Sequence, residues 1–261
     1  MEARLKNDAA FFKRLIDAVK EMVTEVVLDC SNDGIRMQAM DNSHIALINF
    51  FLDSSKAFSH YKCNVEMSIG INVVSLQKVL KLCNNEDILT LQKSNQEDKM
   101  NLLFESPNGS KISQFCVNLI DIEQEQLGIP EVKYKTYFSM SSQELVRICK
   151  DFKELADTVT ISSDSKTGIK FSFCSDTTNG NVTLSPNSSM SDDSLPPTTI
   201  NVNENTSASF SSKYLMLFTK GALMSQVVSV SLSNDLPLSL EYTFQEGVLR
   251  YFMAPKMDDV S

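Results

Sequence analysis

A chain of 261 residues, 42% of them apolar, suits one large domain or two of ordinary size, and no apolar run approaches the ~20 residues that a membrane-spanning helix needs. The start, Met1-Glu2-Ala3-Arg4-Leu5-Lys6, lacks the apolar stretch of a signal peptide, and six scattered cysteines without a CxxC pair argue against a zinc site or a small disulfide scaffold, predicting free thiols in cytoplasm or nucleus. The net charge of −9 argues, taken alone, against nucleic-acid binding.

Apolar spacing predicts a first amphipathic helix over about Ala9–Met22, with Phe12, Leu15, Ile16, Val19 and Met22 on one face. Gly34-Ile35-Arg36-Met37 reads as a turn feeding a strand, and Val65 to Ile71 alternates as a strand does. A second helix is predicted over about Asn72–Cys83, on Val73, Leu76, Val79 and Leu80. Asn118–Lys135, acidic and carrying Leu127-Gly128-Ile129-Pro130, reads as a linker. A third helix follows over about Ser141–Lys153, on Leu145, Ile148, Cys149 and Phe152, with Ser141 or Ser142 as its cap and Glu144 in its first turn. Gly168-Ile169-Lys170-Phe171 is a second turn feeding a strand, and Ser185–Thr199, rich in Ser, Pro and Asp, reads as a surface loop. A short fourth helix spans about Ser211–Lys220, on Tyr214, Leu215 and Phe218, before alternating strands at Val228–Leu232 and Leu238–Tyr242. Short strands at this density predict antiparallel sheet within an α+β fold.

These elements recur in order. Arg14-Leu15-Ile16 and Arg147-Ile148-Cys149 lie 133 residues apart, Gly34-Ile35 and Gly168-Ile169 134 apart, and Lys81 and Lys220, each ending a short helix, 139 apart. The pattern predicts a duplication: one domain over 1–117, a linker over 118–135 and a second domain over 136–261. The charge is unevenly shared between the elements. The four predicted helices hold ten basic and four acidic side chains, a balance of +6, and the rest of the chain carries −15. Helices sharing one face would form a basic stripe able to follow phosphates, while lysines on any amphipathic helix also sit on its solvated face. No helix has the pattern of a base-reading element, so contact with DNA should be to phosphate and without sequence preference.

Nothing assembles a catalytic centre. The only histidines are His44 and His60, and GxSxG, HExxH, P-loop and GxGxxG strings are absent. Asp41 with His44 does not make a metal or acid–base site, and Asp121, Glu123 and Glu125 read as a solvated linker. No catalytic residue, metal site or cofactor is predicted, although a diffuse carboxylate site would leave an enzyme as the reading from a different class.

Several short strings resemble one family. Met40-Asp41-Asn42-Ser43-His44-Ile45 and Glu125-Gln126-Leu127-Gly128-Ile129-Pro130-Glu131 are similar to motifs of eukaryotic proliferating cell nuclear antigen, the DNA sliding clamp family. Asn85-Glu86-Asp87, Asn179-Gly180-Asn181, Leu217-Phe218-Thr219-Lys220 and Met253-Ala254-Pro255-Lys256 follow in the same order as in that family. The resemblance implies a non-enzymatic clamp in the nucleus: a closed homotrimeric ring of duplicated clamp domains, encircling duplex DNA, with helices lining the hole and sheets outside. It implies partners of the DNA polymerase, clamp loader, flap endonuclease and ligase types, docking through a motif Gln-x-x-aliphatic-x-x-aromatic-aromatic. By the same resemblance Lys13, Arg14, Lys20, Lys78, Lys81, Arg147, Lys150 and Lys220 face DNA. The partner pocket, under the linker, would comprise Met40, His44, Ile45, Leu47, Leu127, Ile129, Pro130, Pro237, Phe252, Met253, Ala254 and Pro255. Subunits would join edge to edge, the strand around Lys111, Phe115 and Val117 meeting that around Asn179, Asn181 and Thr183. Lys166 matches the family's ubiquitin and SUMO acceptor, with one residue inserted just before it; Phe252 and Phe115 stand where tyrosines are usual. A same-fold alternative is a checkpoint-type clamp subunit that assembles only with different subunits.

Overall fold

Alternation of apolar and polar side chains drives most of the chain into strands, and these pair antiparallel. The computed structural model describes residues 1–94, 98–123, 128, 132–185 and 196–256. Two units result: Met1–Asn42, Ile48–Gly128 and Phe244–Leu249 form the first, and Ser43–Leu47, Ile129–Thr243 and Arg250–Ser261 the second.

In the first unit the order is β1 (Glu2–Asp8), α1 (Ala9–Val19), β2 (Glu25–Ser31), β3 (Gly34–Met40), β4 (Ala46–Asp53, from Ile48 onward in this unit), α2 (Ser54–Ala57), β5 (Phe58–Lys62), β6 (Met67–Asn72), α3 (Val73–Leu80), β7 (Ile88–Gln92), β8 (Lys99–Glu105) and β9 (Ile112–Asn118). One sheet runs β5-β1-β7-β8-β9 and the other β4-β3-β2-β6. The second unit continues with β10 (Thr136–Ser141), α4 (Ser142–Lys153), β11 (Thr158–Asp164), β12 (Gly168–Cys174), β13 (Asn179–Leu184), β14 (Thr199–Val202), β15 (Thr206–Ser211), α5 (Ser212–Phe218), a 3₁₀ turn (Thr219–Leu223), β16 (Val227–Leu232), β17 (Leu238–Phe244) and β18 (Gly247–Met253). Its sheets run β14-β10-β16-β17-β18 and β13-β12-β11-β15. Matched one for one, β10 to β18 repeat β1 to β9 in both sheet orders, so the duplication predicted from residue offsets holds strand by strand.

Each unit also takes in a short piece of chain from the other half. In the first, the Asp53 amide donates to the Glu246 carbonyl (3.0 Å), and the Asn7 side chain bonds the Glu246 carboxylate. In the second, the Ala254 amide donates to the Ile45 carbonyl (3.2 Å).

Both units pack a helix pair on sheet. Phe12, Leu15 and Ile16 of α1 and Leu76 and Leu80 of α3 are fully buried, as are Leu145 and Ile148 of α4 and Leu215 and Phe218 of α5. Each such side chain contributes ~1.5–3 kcal/mol on leaving water. In the second unit the Phe218 ring stacks on Tyr251 at 4.8 Å, and Tyr251 meets Tyr242 edge to face at 6.1 Å. The Tyr242 hydroxyl, wholly buried, has no hydrogen-bond partner among the described residues, and burial raises its pKa well above the ordinary phenol value.

The ends of elements differ from the sequence expectation for identifiable reasons. Helix α1 stops at Val19, although Met22 is buried, because the Met22 amide turns back to the Val19 carbonyl (3.0 Å). Its cap is Asp8, whose carboxylate accepts from the Phe11 amide (3.2 Å), and Asn72 caps α3 through the Ser75 amide (3.0 Å). Ser141 occupies the cap position of α4 but makes no side-chain capping bond. Strand β6 begins at Met67, since Val65 is 59% exposed and pairs with nothing in the ladder. The fourth helix tightens to 3₁₀ at Thr219; a Cβ at Gly221 would lie 2.2 Å from the Tyr242 ring, so only glycine fits this approach.

Candidate DNA-facing helices and partner surface

Amphipathic helices on a sheet must turn their polar faces outward, and here those faces carry the basic side chains. On α1, Arg14 is exposed, while Lys13 and Lys20 are half-buried and held. The Lys13 ammonium donates to the Cys83 carbonyl (2.8 Å) and Asn85 Oδ1 (3.0 Å), satisfying the chain that leaves α3. Lys20 pairs with Asp17 at 2.7 Å, and Gln77 Nε2 donates to the same Asp17 oxygen (2.9 Å), tying α1 to α3. Lys78 and Lys81 of the α3 segment are exposed. On α4, Arg147 pairs with Glu144 one turn back (2.7 Å), while Lys150 and Lys153 are exposed; Lys213 on α5 is exposed and Lys220 half-buried. Cys149 faces the core, and burial pushes its thiol up to about 12, so the helix carries no reactive thiolate there.

Two strands end a sheet on the residues expected to meet a neighbouring subunit. β9 closes one sheet of the first unit, with Lys111 and Ile112 exposed, Ile112 by 66%. Phe115 is half-buried and packs edge to face on Phe104 at 5.9 Å, whereas Val117 is buried. β13 closes a sheet of the second unit with Asn179, Asn181 and Thr183 exposed. Lys166 is exposed in the turn between β11 and β12. Asp164 Oδ1 accepts from the Lys166 and Thr167 amides (2.9 Å each), which holds that carboxyl below its usual range and shapes the turn.

Of the pocket residues, Leu127, Ile129 and Pro130 lie outside the described residues, as does most of the 185–199 loop. Met40 is half-buried at the end of β3. His44, exposed, has a left-handed φ of 55°, and Ile45 beside it is 41% exposed. Leu47, Phe252 and Pro255 are half-buried, and Pro237 and Ala254 exposed, with the Pro237 carbonyl accepting from Tyr134 Oη (2.9 Å). Met253 departs from expectation: it is 1% exposed and belongs to the core, because alternation along β18 turns it inward. Lys256 is anchored. Its amide donates to the Ser209 carbonyl (2.7 Å), and its ammonium reaches Thr158 Oγ1 (2.6 Å) and the Asp157 carbonyl (3.3 Å). Among the described residues no helix is long and apolar enough to cross a membrane.

Two family models divide the chain between them. Residues 1–127 match Proliferating cell nuclear antigen, N-terminal domain, and residues 128–257 match Proliferating cell nuclear antigen, C-terminal domain. The Proliferating cell nuclear antigen of Chaetomium thermophilum is 41% identical over 262 residues, spanning 99% of either chain. The chain belongs to the proliferating cell nuclear antigen family. It is a DNA sliding clamp subunit, a processivity factor and not an enzyme.

For a sliding clamp the exposed basic set is larger than the eight positions expected from resemblance. Lys153 and Lys213 also stand exposed, and the i, i+3 spacing of Arg147, Lys150 and Lys153 already signalled the first. Asp17 shows how the acidic residues on these helices are accommodated. Burial works to raise its pKa, but hydrogen bonds from Lys20 and Gln77 and the charges of Lys20 and Lys81 outweigh it, leaving the carboxyl below 3.8. Because the folded value is the lower one, its stabilisation is complete above the unfolded value and lost as pH falls through the folded one. Asp17→Asn should therefore lower stability at pH 7 by less than about 1 kcal/mol, the side chain being partly exposed, and make little difference near pH 2. Urea unfolding of both proteins at the two pH values and one protein concentration checks this; an equal deficit at both would contradict it.

Proposed function

We propose that three copies of the chain close head to tail into a ring around duplex DNA in the nucleus, present their basic helices to the phosphates, and dock replication and repair proteins through a short peptide motif. One observation carries the assembly. Strands β4 and β18 correspond to β13 and β9 in the duplicated order, and β4 already bonds to the β18 segment through Asp53–Glu246 and Ile45–Ala254. β13 and β9 are left as sheet edges, and unpaired edges are a liability that chain-to-chain pairing removes. Two different surfaces meeting under a fixed rotation generate a closed ring. Similarity along the whole chain to a proliferating cell nuclear antigen favours this over a heteromeric checkpoint-type clamp.

Light scattering of the wild type at micromolar concentration should give about three times the 29.2 kDa chain mass. Ile112→Asp and Phe115→Asp should each reduce it, since a charge buried without a partner is costly. Ile112→Asp leaves the Phe104–Phe115 contact intact and separates assembly from folding. A wild type of single-chain mass throughout would remove the ring.

With a net charge of −9, attachment to DNA should be topological, steered by phosphate contacts from the exposed bases. Arg14, Lys78 and Lys150 are the ones to reverse, because Lys13, Lys20 and Arg147 also hold the fold. Changing these three to Glu should shorten retention on circular DNA and reduce the salt slope of binding by about three, one per lost phosphate contact. An unchanged slope, or a strong sequence preference, would contradict phosphate tracking.

For partner docking, Leu127, Ile129 and Pro130 place apolar side chains in an acidic linker, and exposed Ile45 and half-buried Leu47 and Phe252 add apolar surface in the second unit. A Gln-x-x-aliphatic-x-x-aromatic-aromatic peptide of the kind carried by polymerase, clamp loader, flap endonuclease and ligase-type partners would fill such a surface with its aliphatic and aromatic anchors. Ile129→Ala should weaken that peptide about ten-fold or more while leaving the trimer intact, as anchors contribute ~2 kcal/mol or more and 1.4 kcal/mol is a factor of ten. Titration of a labelled peptide measures it; equal affinities would take Ile129 out of the site. Lys166, exposed at its turn, is accessible for ubiquitin or SUMO attachment.

A further inference from the structure

Gly70 lies within β6, an outer strand of its sheet, between the fully buried Ile69 and Ile71. Its φ is outside the left-handed region, so the strand alone would accept alanine. What excludes a side chain is the start of the connecting segment. After β9 ends, the Leu119 amide donates to the Asp98 carbonyl (3.0 Å) and the Ile120 amide to the Gly70 carbonyl (3.0 Å). A Cβ on residue 70 would lie 2.1 Å from the Ile120 carbonyl oxygen and 3.2 Å from Ile122 Cδ1. The first of these neighbours is backbone and cannot rotate away. Ile120 and Ile122 are half-buried while Asp121 and Glu123 are exposed, the alternation of a chain laid along a sheet. Glycine inside a strand weakens it and often marks a place where another backbone comes close.

We infer that Gly70 is a positioning residue for partner docking: it admits the connecting segment onto the edge of β6 and so fixes where the apolar linker residues downstream begin. This role rests on the proposed peptide docking at the linker. Gly70→Ala leaves β6 paired with β2 but forces the Ile120 carbonyl outward by on the order of 1 Å, a displacement large enough to spoil a binding geometry that tolerates ~0.5 Å. Ile122→Ala loosens the same anchor without altering β6.

The experiment compares wild type, Gly70→Ala and Ile122→Ala as full-length assembled protein. It reads the solution mass, amide exchange at Ile120 and affinity for a labelled Gln-x-x-aliphatic-x-x-aromatic-aromatic peptide. We expect unchanged mass, faster exchange at Ile120 in both variants, and peptide binding weakened about ten-fold by Gly70→Ala and several-fold by Ile122→Ala. Wild-type affinity in both variants, with the exchange faster, overturns the positioning role and leaves the docking proposal standing. A lowered melting temperature with unchanged affinity does the same, since it shows glycine serving stability alone. If Gly70→Ala fails to fold, Ile122→Ala decides by the same criterion. A wild type that binds no peptide at tens of micromolar removes the docking proposal and this role together.

Discussion

An antiparallel strand at the end of a sheet presents a row of unsatisfied amides and carbonyls, and what happens to those rows organises this chain. The edge at β6 receives the connecting segment through Ile120, and β15 receives the C-terminal segment through Lys256. β15 is further covered by Asn234, whose side-chain oxygen accepts from the Ser207 amide (2.8 Å). β5 has only five residues and ends in Lys62, a short and charged edge of the kind that resists pairing. β9 and β13 have neither protection. They are six or seven residues long, and β9 carries an exposed isoleucine. An edge left open in a chain that guards its others is a surface kept for pairing.

The same logic of placement governs charge. A chain with net charge −9 would be repelled by DNA if its charges were mixed evenly, so a clamp of this composition needs its cations confined to one class of element. The helices achieve it because their inner faces are taken by the core, leaving only outward positions for lysine and arginine. Those cations divide by role. Lys13, Lys20 and Arg147 are bound to carbonyls or carboxylates and contribute to holding the helix pairs, whereas Arg14, Lys78 and Lys150 are exposed. Surface contacts to phosphate from long, solvated side chains are individually weak, which suits a ring that must move along its track and not grip one site.

Local signals were legible in the sequence and long-range ones were not. Helix periodicity located all four long-recognised amphipathic segments, and the glycines of the two hairpin turns declared themselves because Gly34 and Gly168 need positive φ (143° and 96°). The offset of 133 to 134 residues exposed the duplication because the strand lengths of the two halves match there. Val65 misled, since alternation continues by chance beyond the point where pairing with β2 begins at Met67. Ser141 misled in a second way: a residue of the capping type stands at the cap, yet its hydroxyl makes no capping bond. Gly70 and Gly221 gave no local sign at all, because each answers to a group far away in the chain, Ile120 and Tyr242 respectively. Lys256 had the composition of a rim charge, and only the fold brings Thr158 and Asp157 to it.

That last contact bears on how a flexible terminal segment can serve as a docking platform. Ordering several residues of backbone at the moment of binding costs about 1–2 kcal/mol each, enough to erase the gain from one apolar anchor. Residues 254 to 256 are already tied by three kinds of contact: the Ala254 amide to Ile45, the Lys256 amide to Ser209, and the Lys256 ammonium to Thr158 and Asp157. At the start of the connecting segment, Leu119 and Ile120 are tied in the same manner, to Asp98 and Gly70. A peptide meeting chain fixed in advance spends its anchors on binding and not on folding its receptor, and so a short motif suffices where a disordered receptor would require a longer one.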